Sequence, residues 1–301
     1  MPVRSEQKWD GRSRGGSFGT WCFVWLIRHA GLGAAYALLA LVVPYFVVFA
    51  PRATRSVWRF GRRVRRLGRW RSAVEVFATY YAFGQCIIDK IAIGQGQADA
   101  FTFATEGMEQ VRSLFRQGDE GRSVAAVFVS GHVGSWEAAT PLFAHFGKRM
   151  NVTIFDNEHE DIRRVIEREQ RGRPFNLIPL RRDGLESVME IKAALDRGEF
   201  VCFMGDRFMT GTSARRLPFM GREACFPDGP FDICASMRVP MAFFFVVREP
   251  RRTYRAHFVV LPRGEGGRAD PRSMQRAFVT ELERIVWRHP RQWFNFYEYF
   301  N

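Results

Sequence analysis

From Gly31 to Ala50 the chain runs twenty residues without a charge, GLGAAYALLALVVPYFVVFA, and the next stretch, 51–71, holds nine arginines and no acid. At about 1.5 Å per residue, a helix over the first segment matches the roughly 30 Å hydrocarbon core of a bilayer. Arginines directly after an apolar segment mark its cytoplasmic side. The run starts late, is long and has no small-residue cleavage site, so it does not suit a signal peptide. Pro44 would kink the helix, which fits a tilted or partly inserted anchor as well as a straight span. The competing reading is a buried core helix.

The net charge of +14 lies mostly in the first 71 residues. A nucleic-acid track would spread it over a binding groove; its placement beside the apolar run points to anionic lipid head groups instead. Within 53–71, Val57, Phe60, Val64 and Leu67 recur at spacings of three and four. This predicts a basic helix with one apolar stripe, lying on a membrane surface, packed on its own domain, or both. Residues 1–20 are polar and expected to be poorly ordered. We therefore divide the chain into 1–71 (polar tail, hydrophobic anchor and basic helix) and 72–301, a catalytic domain that should fold without residues 1–50. Five scattered cysteines, Cys22, Cys86, Cys202, Cys225 and Cys234, form no C-x-x-C pair and suggest a reducing compartment.

After a helical stretch at about 73–94, apolar runs alternate with helical segments. Val124–Val129, Val152–Phe155, Phe175–Ile178, Phe200–Met204, Met241–Val247 and His257–Leu261 read as strands. Segments near 135–146, 159–170, 185–197, 229–237 and 271–288 read as helices. The alternation predicts an α/β fold: a mixed, largely parallel central sheet with helices on both faces.

The passage VAAVFVSGHVGSWEAATPLF holds the chemistry. A buried strand ends at Ser130-Gly131, His132 follows at once, and Gly134 and Ser135 lead into a helix expected near Trp136. Ligands of α/β sheets sit at the carboxyl ends of strands. His132 and Glu137, five apart across a flexible turn, can converge there. Acyl transfer to a hydroxyl needs a base working near neutrality, which histidine supplies. Glu137 would hold the ring in its productive tautomer, and backbone N–H groups at the helix start would stabilise the oxyanion. The alternative is a histidine satisfied locally, with Glu137 simply favourable near a helix N-terminus.

His-x-x-x-x-Glu after a strand resembles the signature of the lysophospholipid and lipid A acyltransferase superfamily. CFMGDRFMTG resembles the strand and following acid that lipid A secondary acyltransferases carry as Asp-Gln. RRLPFMGREACFPDGPFDICA resembles their Phe-Phe-Gly…Gly-Pro block, VPMAFFFVVRE their next strand, and HPRQWFNFYEYF their Pro-x-x-Trp ending. Gly-Asp-Arg at 205–207 and Gln-Trp-Phe-Asn-Phe-Tyr at 292–297 depart from the lipid A enzymes. They look more like acyltransferases found with aryl polyene and related polyketide-type lipid pathways.

The resemblance implies an acyl carrier protein donor, with acyl-CoA the lesser option, and a lipid or glycolipid acceptor. Together with the charge placement, this leads us to expect work on an anionic membrane surface at the cytoplasmic face of a bacterial inner membrane, by a monomer, with no nucleic acid, metal or cofactor. Candidate substrate-binding residues are Arg181 and Arg182, placed to hold a phosphate before a helix or else exposed turn charges; Asp206 and Arg207 after a strand, facing the cleft or bracing a loop as a pair; and Phe219, Gly221 and Arg222, which would shape the site. Glu158, His159, Glu160 and Asp161 read as an acidic helix start, not a metal site. Gly15–Gly19 matches a nucleophile elbow in form but lacks the preceding strand. A thioesterase or lipase using the same pair, and a non-catalytic basic membrane-binding protein, stay open as alternatives.

Overall fold

The computed structural model describes residues 17–116, 124–139, 141–142, 148–155, 175–180, 184–208, 212–261 and 270–300. The expected helix over 159–170 lies outside them, as do Arg181, Arg182 and the acidic run 158–161.

The central sheet has seven strands: β1 (Thr102–Glu106), β2 (Ala126–Ser130), β3 (Met150–Phe155), β4 (Phe175–Leu180), β5 (Phe200–Met204), β8 (Met241–Glu249) and β9 (Thr253–Val260). Their order is β1-β9-β8-β2-β5-β3-β4. Five run parallel, while β9 pairs antiparallel with β8 and carries β1 beside it. β6 (Ala214–Phe219) and β7 (Arg222–Pro227) form a separate antiparallel hairpin. The mixed, largely parallel sheet is thus the one the alternating runs predict.

Alternation within each strand builds two cores. Val127 and Val129 of β2, with Phe243, Phe245 and Val247 of β8, enter one. Ala126 and Phe128, with Ala242, Phe244 and Val246, enter the other. Successive side chains of a strand point to opposite faces, so a continuous apolar run means that both are covered.

The first core packs under α6 (Leu185–Asp196), α7 (Gly229–Met237), α8 (Pro271–Arg288) and the hairpin. The second lies under the N-terminal helices: α1 (Ser17–His29), α2 (Gly31–Phe49), α3 (Pro51–Arg59), α4 (Arg69–Gly94), and α5 (Met108–Arg116) further on. α1 begins at Ser17, so it takes in the last four residues of the expected polar tail, 1–20, and continues through the apolar FVWLI at 23–27. Ile27, Leu32, Ala35, Leu39 and Val43 share this core with Phe128 and Phe244 of the sheet. The apolar run is therefore packed on the catalytic domain. Removing residues 1–50 would uncover that part of the core.

The basic helix is shorter than its stripe suggests. α3 passes into a wider helical turn, Phe60–Val64, and ends before Arg66, which adopts positive φ. Val57 and Val64 are buried and Phe60 packs on Trp293, so the stripe faces the protein and the arginines face out.

Candidate active site

β2 and β5 are adjacent parallel strands, with Ser130 opposite Met204. Gly205 N–H donates to Ser130 O at 2.8 Å, which sets the two strand ends level. His132 follows one strand and Asp206 the other, so residues 74 apart in sequence meet at one sheet end. Asp206, 2% exposed, accepts twice from His132: from the backbone N–H at 2.9 Å and at ring Nδ1 at 2.7 Å. Holding both the main chain and the ring of one residue fixes the imidazole in position and orientation. Nε2 is then the nitrogen left to exchange protons. The His132 side chain is 29% exposed, so solvent and substrate can reach it.

Burial works to raise the pKa of Asp206, but the facing imidazole, its hydrogen bond, and the Arg207 charge outweigh it. The carboxyl is held below its ordinary value. An ionised Asp206 favours Nδ1–H as donor, the tautomer that leaves Nε2 free to accept.

Sequence reasoning gave this orienting contact to Glu137 and placed Asp206 among the substrate-binding residues. Glu137 begins a 3₁₀ turn, Glu137–Ala139, and 141–142 are helical; 140 and 143–146 of the helix expected near 135–146 lie outside the described residues. Its carboxylate is within 3.4 Å of Lys90 Nζ on α4 and accepts from Ser135 Oγ at 3.4 Å. Lys90 was not among the expected site residues. No sequence motif marks it, and only the packing of α4 under the loop brings it there.

The loop between β2 and this turn is tied down on all sides. Val133 N–H donates to Gly131 O, Gly134 N–H to Gln292 O, Ser135 N–H to Val246 O, and Phe294 N–H to His132 O. The N–H groups of 132–135 are thus engaged by the fold. Any oxyanion donor from this backbone has to come from Trp136 onward, which narrows the sequence expectation. Gly134 sits at φ +67, and a methyl there would lie 1.8 Å from Val246 O. Gly134→Ala is expected to lower stability by more than about 1 kcal/mol and to displace His132. A fall in both Tm and turnover is the check.

The other candidates fall into place around the loop. Arg207 Nη2 donates to Phe294 O at 3.0 Å and its guanidinium lies over Tyr297, so it braces the C-terminal segment that clamps the loop. Tyr299 hydroxyl donates to Asp206 O at 2.9 Å. Phe219 is fully buried among Phe226, Trp293, Tyr299 and Phe300. Met220 and Gly221, both at positive φ, make the two-residue turn of the β6–β7 hairpin, and Arg222 lies over the Phe300 ring.

The sequence matches the model for bacterial lipid A biosynthesis acyltransferases over residues 78–301. The chain belongs to that family. No curated protein matches it. Membership makes it an acyltransferase of lipid biosynthesis in general. The match takes in the His132 loop, the Asp206 strand end, the hairpin and the C-terminal segment, and starts within α4.

Proposed function

We propose that this acyltransferase moves a fatty or polyketide-like acyl group from a thioester, on an acyl carrier protein or coenzyme A, to a hydroxyl or amine of a lipid-type acceptor. The carrying observation is the His132–Asp206 pair at adjacent strand ends, with Nδ1 held and Nε2 left to act. In this reading the acceptor O–H attacks the thioester carbonyl as its proton passes to Nε2. The tetrahedral oxyanion then collapses, the C–S bond breaks, and the leaving thiolate takes the proton back from the imidazolium. His132 is the base, Asp206 orients it, and Glu137, held beside Lys90 at the end of the loop, is the carboxylate we assign to favour the imidazolium during reaction. The exposed arginines after α2 support work at an anionic membrane, which we place at the cytoplasmic face of the inner membrane.

The test supplies purified protein with acyl carrier protein and coenzyme A thioesters plus membrane lipid extract, and follows products by mass spectrometry. Acylated lipid with released thiol is expected. Free acid without acylated lipid would mark a hydrolase using the same pair. Glu137→Gln should lower kcat with little change in the KM for donor, because the imidazolium exists only during reaction. A large rise in KM at unchanged kcat would assign Glu137 to binding.

A further inference from the structure

Helix α2 is apolar on both faces, yet only one face is packed. Leu32, Ala35, Leu39 and Val43 are buried, and Leu39 lies so close to Gly84 of α4 that a methyl there would sit 2.4 Å from its Cδ1. The opposite face exposes Leu41 (77%), Tyr45 (56%), Val48 (67%) and Phe49 (60%). Gly33, Ala37 and Pro44, also exposed, are no more polar. A helix on the surface of a water-soluble domain carries polar residues on that side. The helices packed on α2 extend the pattern, with Trp21 and Trp25 of α1 and Trp70 and Val74 of α4 all exposed. Tryptophan and tyrosine favour the membrane–water boundary. The chain after α2 adds exposed Arg52, Arg55, Arg62, Arg63, Arg66 and Arg69, the complement of anionic head groups.

The packed face carries the second observation. Tyr36 hydroxyl donates to Asp89 of α4. Asp89 is fully buried and also accepts from Arg248 Nε and Tyr254 hydroxyl, each at 2.7 Å. Arg248 and Tyr254 belong to β8 and β9, so α2 is tied through Asp89 to the central sheet. Arg28 Nε donates to Gln95 Oε1 at 3.4 Å near one end of α2, and Thr54 Oγ1 donates to Val47 O at 2.8 Å near the other. If α2 crossed a bilayer in this arrangement, the Asp89–Arg248 pair that Tyr36 holds would be carried to membrane depth with it. Charged side chains at membrane depth are costly, and an interfacial placement of α2 leaves this pair outside the hydrocarbon.

We infer that residues 31–49 do not span the membrane: α1, α2 and the start of α4 lie in the plane of one anionic leaflet. The outer face of α2 enters the acyl region by roughly 5–10 Å, and the arginines sit among the head groups. The inference rests on the membrane reading proposed above. It sends the N-terminus and the catalytic domain to the same side, whereas a single span separates them.

The test uses the full chain with different epitopes at its two ends, expressed in a bacterial host. Protease is added to intact spheroplasts and to permeabilised ones. Expected is co-sedimentation with membranes, both epitopes protected in intact spheroplasts, and both lost together on permeabilisation. Loss of only the N-terminal epitope from intact spheroplasts would show a span, overturning the inference while leaving membrane work standing. A chain found wholly in the soluble fraction would overturn both.

Discussion

His132→Ala is expected to lower acyl transfer by about 10²–10⁴-fold or more, the contribution of a positioned general base. The fold should persist. The side chain is partly exposed, and Asp206 keeps the His132 backbone N–H, an interaction that any residue at 132 provides. The buried carboxylate does lose its ring partner, at a cost of about 1–3 kcal/mol. His132→Gln, which offers Asp206 a polar side chain, serves as a second variant less exposed to that loss. Product formation by mass spectrometry, read beside thermal unfolding, is the measurement. Near wild-type turnover in either folded variant would sink the assignment of His132 as base.

How far the sequence reaches depends on whether a feature is local. Strands β2, β5 and β8 were legible because each is buried on both faces and so reads as an unbroken apolar run. β1 was not, because it is a short, half-exposed edge strand, TFATE, with little apolar content. The β6–β7 hairpin was not legible either: ARRLPF and REACFP do not alternate strictly, and Met220-Gly221 is not one of the usual two-residue turn pairs.

The same distinction governs the site. His132 was legible from its place directly after a strand. Glu137 is the partner that nearness in sequence suggests. Asp206 is 74 residues away, and only the order of strands, with β5 beside β2, makes it a neighbour. No periodicity in a single chain states that order. The N-terminal run shows the converse. Composition made α2 long and apolar enough to cross a membrane, but the contacts of Tyr36 with a buried aspartate are tertiary facts.

Asp206→Asn is expected to be nearly as damaging as loss of His132, by about 10³–10⁴-fold in kcat, as when the orienting acid of a hydrolase triad becomes an amide. An asparagine keeps the volume of Asp206 and can still accept the backbone N–H of His132 through its carbonyl oxygen. Its amide nitrogen then faces Nδ1, and a donor there forces Nδ1 to accept. The ring proton moves to Nε2, the nitrogen meant to take the proton of the acceptor alcohol, and the base is blocked. The negative charge that stabilises the imidazolium is lost as well. Both effects act after donor binding, so KM for the thioester should change little. Imidazole nitrogen chemical shifts should report Nε2–H in the variant and Nδ1–H in the parent. A variant with nearly full kcat and an unchanged tautomer would return the orienting role to another group. Glu137→Gln, measured in parallel, would then be expected to show the larger loss.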